Sequence, residues 1–206
     1  MSEKKKMFVS TSPESVKIFN NQLFEYFSKN SWYIPVVTYI PIISYFSFLA
    51  FSNNISVTYY ILSIILGLFV WSFVEYFLHR FVFHYQPKSE IGKKIHWTFH
   101  GVHHDFPQDA KRLVMPPGVS LPLATLFFLF FRLFIPTPFL YSFFGFFLLG
   151  YLVYDISHYA FHHFGIKNKF FLKLKSHHMK HHYKDDEQGF GVSSDFWDLI
   201  FKTKKM

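Results

Sequence analysis

Four windows of the 206-residue chain carry no charged side chain: Trp32 to Phe51, Ile55 to Val74, Leu113 to Phe131 and Leu133 to Tyr154, with 20, 20, 19 and 22 residues. As a helix, each is long enough to cross a hydrocarbon layer about 30 Å thick. The prolines within them, Pro35, Pro41, Pro116, Pro117, Pro122, Pro136 and Pro138, lie mostly near window ends, where a helix can begin or kink without stranding backbone donors. The pattern predicts an all-α integral membrane protein with four transmembrane helices in two hairpins. Ahead of the first window, Val16 to Phe27 (VKIFNNQLFEYF) predicts an amphipathic helix at the membrane interface.

Charge changes this picture by adding sides. Of the 21 Lys and Arg, 20 lie before Trp32, between Val74 and Leu113, or after Tyr154, and only Arg132 falls in the alternate connections. Four crossings place those three segments on one face, which the positive-inside rule assigns to the cytosol. All 13 Asp and Glu are on the same segments, so residues 75–112 and 155–206 predict a folded helical cytosolic cap, with 1–31 as a cytosolic or interfacial N-terminus. The whole of 1–206 then reads as a single domain. The net charge of +8 becomes a statement about topology and gives no reason to expect a nucleic-acid partner. With no Cys, disulfides and thiolate metal sites are excluded.

The 13 histidines carry the chemistry, and every one lies on the predicted cap side. They form four clusters: EYFLHRFVFH with His79 and His84; HWTFHGVHH with His100, His103 and His104; YDISHYAFHH with His158 and His162; and HHMKHHYK with His178, His181 and His182. At about 100° per residue, His158 and His162 are roughly 40° apart and each HxxHH set shares a narrow helical stripe. His79 and His84, five apart, are expected to diverge by roughly 140° and so to serve different metals. A single transition-metal ion takes four to six ligands, so ten histidines predict two metals with five imidazoles each. His96, His163 and His177 are extra to the pattern.

Imidazole suits zinc, copper, iron and nickel alike, so ligand type leaves the metal open. Neither HExxH nor its inverse occurs, which argues against a hydrolytic zinc site. Neutral ligands leave the positive charge of two ions to be balanced. Glu75, one turn before His79, and Asp155, three residues before His158, are placed to accept imidazole N–H bonds, with Asp105, Asp185 and Asp186 as weaker candidates.

The four clusters, in their order and sidedness, resemble the membrane fatty acid hydroxylase superfamily, and most of all its fatty acid 2-hydroxylase branch. The likeness runs from about Val16 to the C-terminus. RLVMPP at Arg112 to Pro117 and GFGVSSDFWDLIF at Gly189 to Phe201 point to that branch, whereas the histidine motifs are shared with sterol and carotenoid relatives. The resemblance implies a non-haem diiron monooxygenase that uses O2 to hydroxylate C2 of a fatty acyl chain, free or on a ceramide. Zinc can take the same sites in a purified protein. The resemblance also implies one metal on His79, His100, His103, His178 and His181 and the other on His84, His104, His158, His162 and His182. Eukaryotic members often carry a fused cytochrome b5 domain with a His-Pro-Gly-Gly motif ahead of the first span. That motif is absent here, so a separate cytochrome b5-like or ferredoxin-like electron donor is expected. The membrane is the endoplasmic reticulum for a eukaryotic chain and the inner (cell) membrane for a bacterial one. A related oxygenase acting on a sterol or carotenoid is the alternative. A non-enzymatic metal-binding membrane protein is disfavoured, because the four windows hold no His, Asp or Glu.

Overall fold

The structure is a computed structural model and describes residues 7–204. Among these residues it is helical, with no strand: α1 Gln22–Phe27, α2 Ile34–Ser52, α3 Val57–Phe77, α4 Glu90–His96, α5 Val102–Asp105, α6 Pro117–Arg132, α7 Phe139–His163, α8 Lys169–Tyr183 and α9 Phe196–Ile200. Two short π-helical segments, Leu78–Phe83 and Trp97–Gly101, continue α3 and α4.

Helix α7 is the axis. Its 25 residues are buried along most of their length, and α2 and α3 pack against it. Two glycines let the helices approach closely. A Cβ on Gly67 of α3 would lie 2.6 Å from the Phe143 carbonyl oxygen, and one on Gly150 of α7 would lie 2.6 Å from Trp71 Cβ. The outer faces of α2 and α3 present Val37, Ile40, Phe48, Ile61, Ile65 and Phe69 outward, an apolar surface of the kind that lipid covers.

Among the described residues, three helical stretches are long and apolar enough to cross a membrane: Ile34–Ser52, Val57–Phe83 and Phe139–His163. The third window behaves differently. Its helix starts only at Pro117, because Pro116 is extended (φ −60°, ψ 140°) and Pro117 cannot donate to a preceding turn. Leu113 and Val114 are buried instead of entering a span. The remaining 16 residues of α6 reach about 24 Å at 1.5 Å per residue. The fourth window likewise becomes helical only after Pro138, but α7 runs nine residues past Tyr154 and so carries His158 and His162 on the same rigid rod.

The amphipathic helix expected over Val16–Phe27 is shorter. Asn21 caps it through the Leu23 and Phe24 N–H groups, so helix exists only from Gln22. Upstream, the Ile18 and Phe19 N–H groups are taken by Glu25 Oε2, both at 3.0 Å. The segment instead straps the residues before α6. Val9 and Ser10 N–H bond the Asp105 carbonyl, Val16 N–H bonds Asp109, and Arg112 reaches the Val16 carbonyl (2.7 Å) and Glu25 (2.5 Å). Burial disfavours the Glu25 anion, but bonds from Lys29 and the two N–H groups, with the Arg112 charge, outweigh it and bring the carboxyl down to about 2.

Candidate metal centre

Two groups of five histidines stand side by side. In the first, His79, His84, His100, His104 and His181 offer one ring nitrogen each, all within 4.8 Å of one another; in the second, His103, His158, His162, His178 and His182 do the same. In the first, His104 and His100 Nε2 are 3.0 Å apart, His100 and His84 Nε2 3.2 Å, and His181 and His84 Nε2 3.1 Å. In the second, His162 and His178 Nε2 are 2.9 Å apart and His103 and His182 Nε2 3.1 Å. The groups touch where the His104 and His182 rings stack at 4.2 Å. His84 and His104 are half-buried, whereas all five members of the second group are buried.

The elements explain the convergence. His158 and His162 on α7, and His178 and His182 on α8, are i, i+4 pairs that share a face. His79 and His84 meet by another route. The Leu78–Phe83 segment is wound so that His84 N–H bonds the His79 carbonyl (3.1 Å), an i→i+5 bond that returns residues five apart to one side. The divergence expected from an ideal α-helix therefore does not occur, and the implied division of ligands changes with it. His84 and His104 lie with His79, His100 and His181, while His103 and His178 lie with His158, His162 and His182.

Each group has the donor chemistry of a transition-metal site. Burial, reinforced by neighbouring imidazoles, holds His100, His103, His104, His178, His181 and His182 well below the usual imidazole range, so these rings are neutral. Burial, with His79 and His96 nearby, takes His84 down to about 2. Nε2 of His79 and Nε2 of His158 are buried without a hydrogen-bond partner. Five converging neutral imidazoles cannot satisfy one another by hydrogen bonding, and a cation would satisfy all five lone pairs.

Orientation of the rings comes from groups that sequence spacing did not reveal. His79 Nδ1 donates to the Phe190 carbonyl (2.5 Å) and His181 Nδ1 to the Gln188 carbonyl (2.7 Å), which leaves each Nε2 as the inward lone pair. Glu75 and Asp155 do not play the role expected of them. Glu75 accepts from the Val192 and Ser193 N–H groups (both 2.8 Å) and the Ser193 hydroxyl, and Asp155 from Tyr151 Oη (3.2 Å) and Met115 N–H (3.4 Å). Asp105 accepts the Trp97 indole N–H at 2.7 Å. His96, His163 and His177 belong to neither group. His96 bonds the Phe83 carbonyl, His163 packs on Tyr159, and His177 bonds Asp198. The GFGVSSDFWD segment was the available signal for the missed partners, since Gly189 has φ 72° and Gly191 has no room for a Cβ.

A cavity of about 150 Å³ lies against the histidines, with His100, His103 and His158 in one wall and Ile18, Phe19 and Ser28 of the N-terminal strap in another. A second cavity, between Trp71, Leu123, Phe127, Phe147 and Leu148, is almost wholly apolar. Phe83, Met115 and Tyr154 line both. Phe83 stacks on His100 (5.1 Å) and Tyr154 on His158 (5.7 Å), so one aromatic wall lies against each histidine group.

Residues 64–203 match the family described as fatty acid hydroxylase. The ceramide very long chain fatty acid hydroxylase scs7 of Schizosaccharomyces pombe is 39% identical over 194 residues, covering 92% of this chain and 55% of that protein. The fatty acid 2-hydroxylase of Rattus norvegicus is 35% identical over 210 residues, covering 91% and 56%. The dihydroceramide fatty acyl 2-hydroxylase FAH1 of Arabidopsis thaliana is 33% identical over 191 residues, covering 92% and 80%. The chain thus spans a little over half the length of the first two. A solved structure of full-length scs7p, with only its hydroxylase domain visible, superposes with a TM-score of 0.84 at 38% identity, over 90% of this chain and 70% of that one.

Proposed function

Because this chain belongs to the fatty acid hydroxylase family, we propose that it is a membrane-embedded diiron monooxygenase that hydroxylates C2 of a fatty acyl chain, free or held in a ceramide. The observation that carries the reading is the pair of five-histidine groups set against a cavity that adjoins an apolar one. The activities for which the relatives are named, on fatty acids and ceramides, supply the substrate class.

His79, His84, His100, His104 and His181 would hold one iron, and His103, His158, His162, His178 and His182 the other. Bound there, the two irons supply the oxidising chemistry by which one O2, two electrons and two protons convert a C2–H bond to C2–OH and release water. The chain's own residues do the rest. The apolar cavity, about 30 Å³ in this structure, marks the side on which the acyl tail would lie once the helices part to admit it, and Phe83, Met115 and Tyr154 bring the carbons near the carbonyl end beneath His100 and His158. The Ile18–Phe19 strap closes the histidine-walled cavity from the aqueous side and excludes water. The Phe190 and Gln188 carbonyls hold the protons of His79 and His181 on Nδ1, so the ligating nitrogens stay free.

In this reading residues 1–206 are one hydroxylase domain. Helix α6 is a fourth, short crossing that completes two hairpins, and the histidines face the cytosol as the positive-inside rule requires. The membrane is that of the endoplasmic reticulum in a eukaryote or the inner membrane in a bacterium. Electrons come from a separate small acidic carrier, of cytochrome b5 or ferredoxin type, attracted to the basic residues of that face. Expression in a host lacking 2-hydroxy lipids tests the function: wild-type protein yields 2-hydroxy acyl chains and contains metal, and His181→Ala yields none. Equal product from both would refute the reading.

A further inference from the structure

Two buried carboxylates that touch no imidazole of either group hold one loop. Asp198 Oδ1 accepts from Phe190 N–H (2.9 Å) and the Thr203 hydroxyl (2.7 Å), and Oδ2 from Gly191 N–H (2.8 Å) and His177 Nε2 (3.1 Å). Glu75 takes the next two amides, Val192 and Ser193. Four consecutive N–H groups are thus committed to carboxylates, and the carbonyls of Gln188 and Phe190 are left to receive His181 and His79. Gly191 makes this possible, since a Cβ there would lie 2.0 Å from the Ser194 carbonyl oxygen and 2.9 Å from Asp198 Oδ2.

The arrangement is one-sided. The loop supports two members of the first group and none of the second. In the second group the Nδ1 atoms of His178 and His182 are buried without a partner, and four of the five rings are set by adjacent turns of α7 and α8, with His103 on α5. First-group ligands instead come from two π-helical segments or their ends, α5 and α8, so no single rod fixes them.

We propose that Asp198 and Glu75 are positioning residues for the first histidine group alone: by clamping the Gln188–Ser194 loop they aim His79 and His181 and set metal occupancy there independently of the second group. This rests on the reading of both groups as metal sites.

Cobalt(II) titrated into purified, metal-stripped full chain tests it by absorption, without reference to activity. Wild type shows two binding events. Asp198→Ala weakens one of them about 10- to 100-fold, the usual consequence of losing a partner behind a ligating histidine, and leaves the other unchanged. Gly191→Ala does the same, and His178→Ala removes the event that Asp198→Ala spares. Joint weakening of both events, no weakening, or weakening of the event that His178→Ala removes overturns the proposal. A wild-type measurement decides the matter if neither loop variant folds. Cobalt slows amide exchange across 190–193 in wild type, as reciprocity demands, and exchange indifferent to cobalt overturns the proposal. A wild-type chain that binds no cobalt would instead sink the metal-site reading beneath it.

Discussion

Among single residues, a ring nitrogen and what stands behind it decide the most. His104 bonds only within the first group, so His104→Ala should abolish hydroxylation and release one of two metals, by metal analysis of the purified protein, whereas His96→Gln should keep both. That the ten histidines come together was legible from their spacing, because repeated i, i+3 and i, i+4 patterns leave a mark in the sequence. Their supporting partners were not. Glu75 stands one turn from His79 yet bonds residues 117 and 118 positions away, a pairing that only the tertiary fold creates. Glu25 gives a pH prediction. Its folded carboxyl lies at about 2 against 4.5 in the free side chain, so its contribution to holding the strap is present above 4.5 and is lost as the pH falls toward 2. Pepsin should therefore cut near the exposed Leu23 and Phe24 increasingly over that interval, and Glu25→Gln should already be cut at pH 4.5.

At the level of elements, the π-helical turn at Leu78–Phe83 explains how a five-residue spacing serves one site. Deleting Val82 should restore α-helical winding and leave the two histidines four apart on one face, so both metals are retained; loss of one metal would show that the winding is not what aligns His79 with His84. This turn was hidden because the 100° rule assumes i→i+4 bonding throughout, and nothing in LHRFVF signals otherwise. The apolar windows matched α2 and α3 closely and caught α7 only in part, since that helix runs from Phe139 to His163. They misplaced the start of α6, where Pro116-Pro117 keeps Leu113 to Met115 out of the helix and frees them to wall the cavities. Helix packing is tight where glycine permits it. Gly150→Ala should cost about 1–3 kcal/mol by overpacking against Trp71, measured as lowered thermal stability in detergent.

For the whole molecule, buried α7 runs from the apolar helices to the histidine groups, so a single rod carries both the apolar wall and two histidines of the second group. The shared walls of the two cavities then matter for regiochemistry. Met115 stacks on no histidine, so Met115→Ala should thin the wall between the two cavities with both metals retained and raise the share of products hydroxylated beyond C2, read by mass spectrometry. The sequence could announce four apolar stretches and a polar face, but not which of 48 aromatic residues meet around the two cavities, since that depends on how α3, α6 and α7 close. If this assembly inserts an oxygen atom from O2 at C2 of an acyl chain, turnover under 18O2 in a host without 2-hydroxy lipids, with acyl products analysed by position, will place one 18O atom on C2, and His181→Ala will place none. Unlabelled product, or label only at other carbons, would overturn the hydroxylase reading.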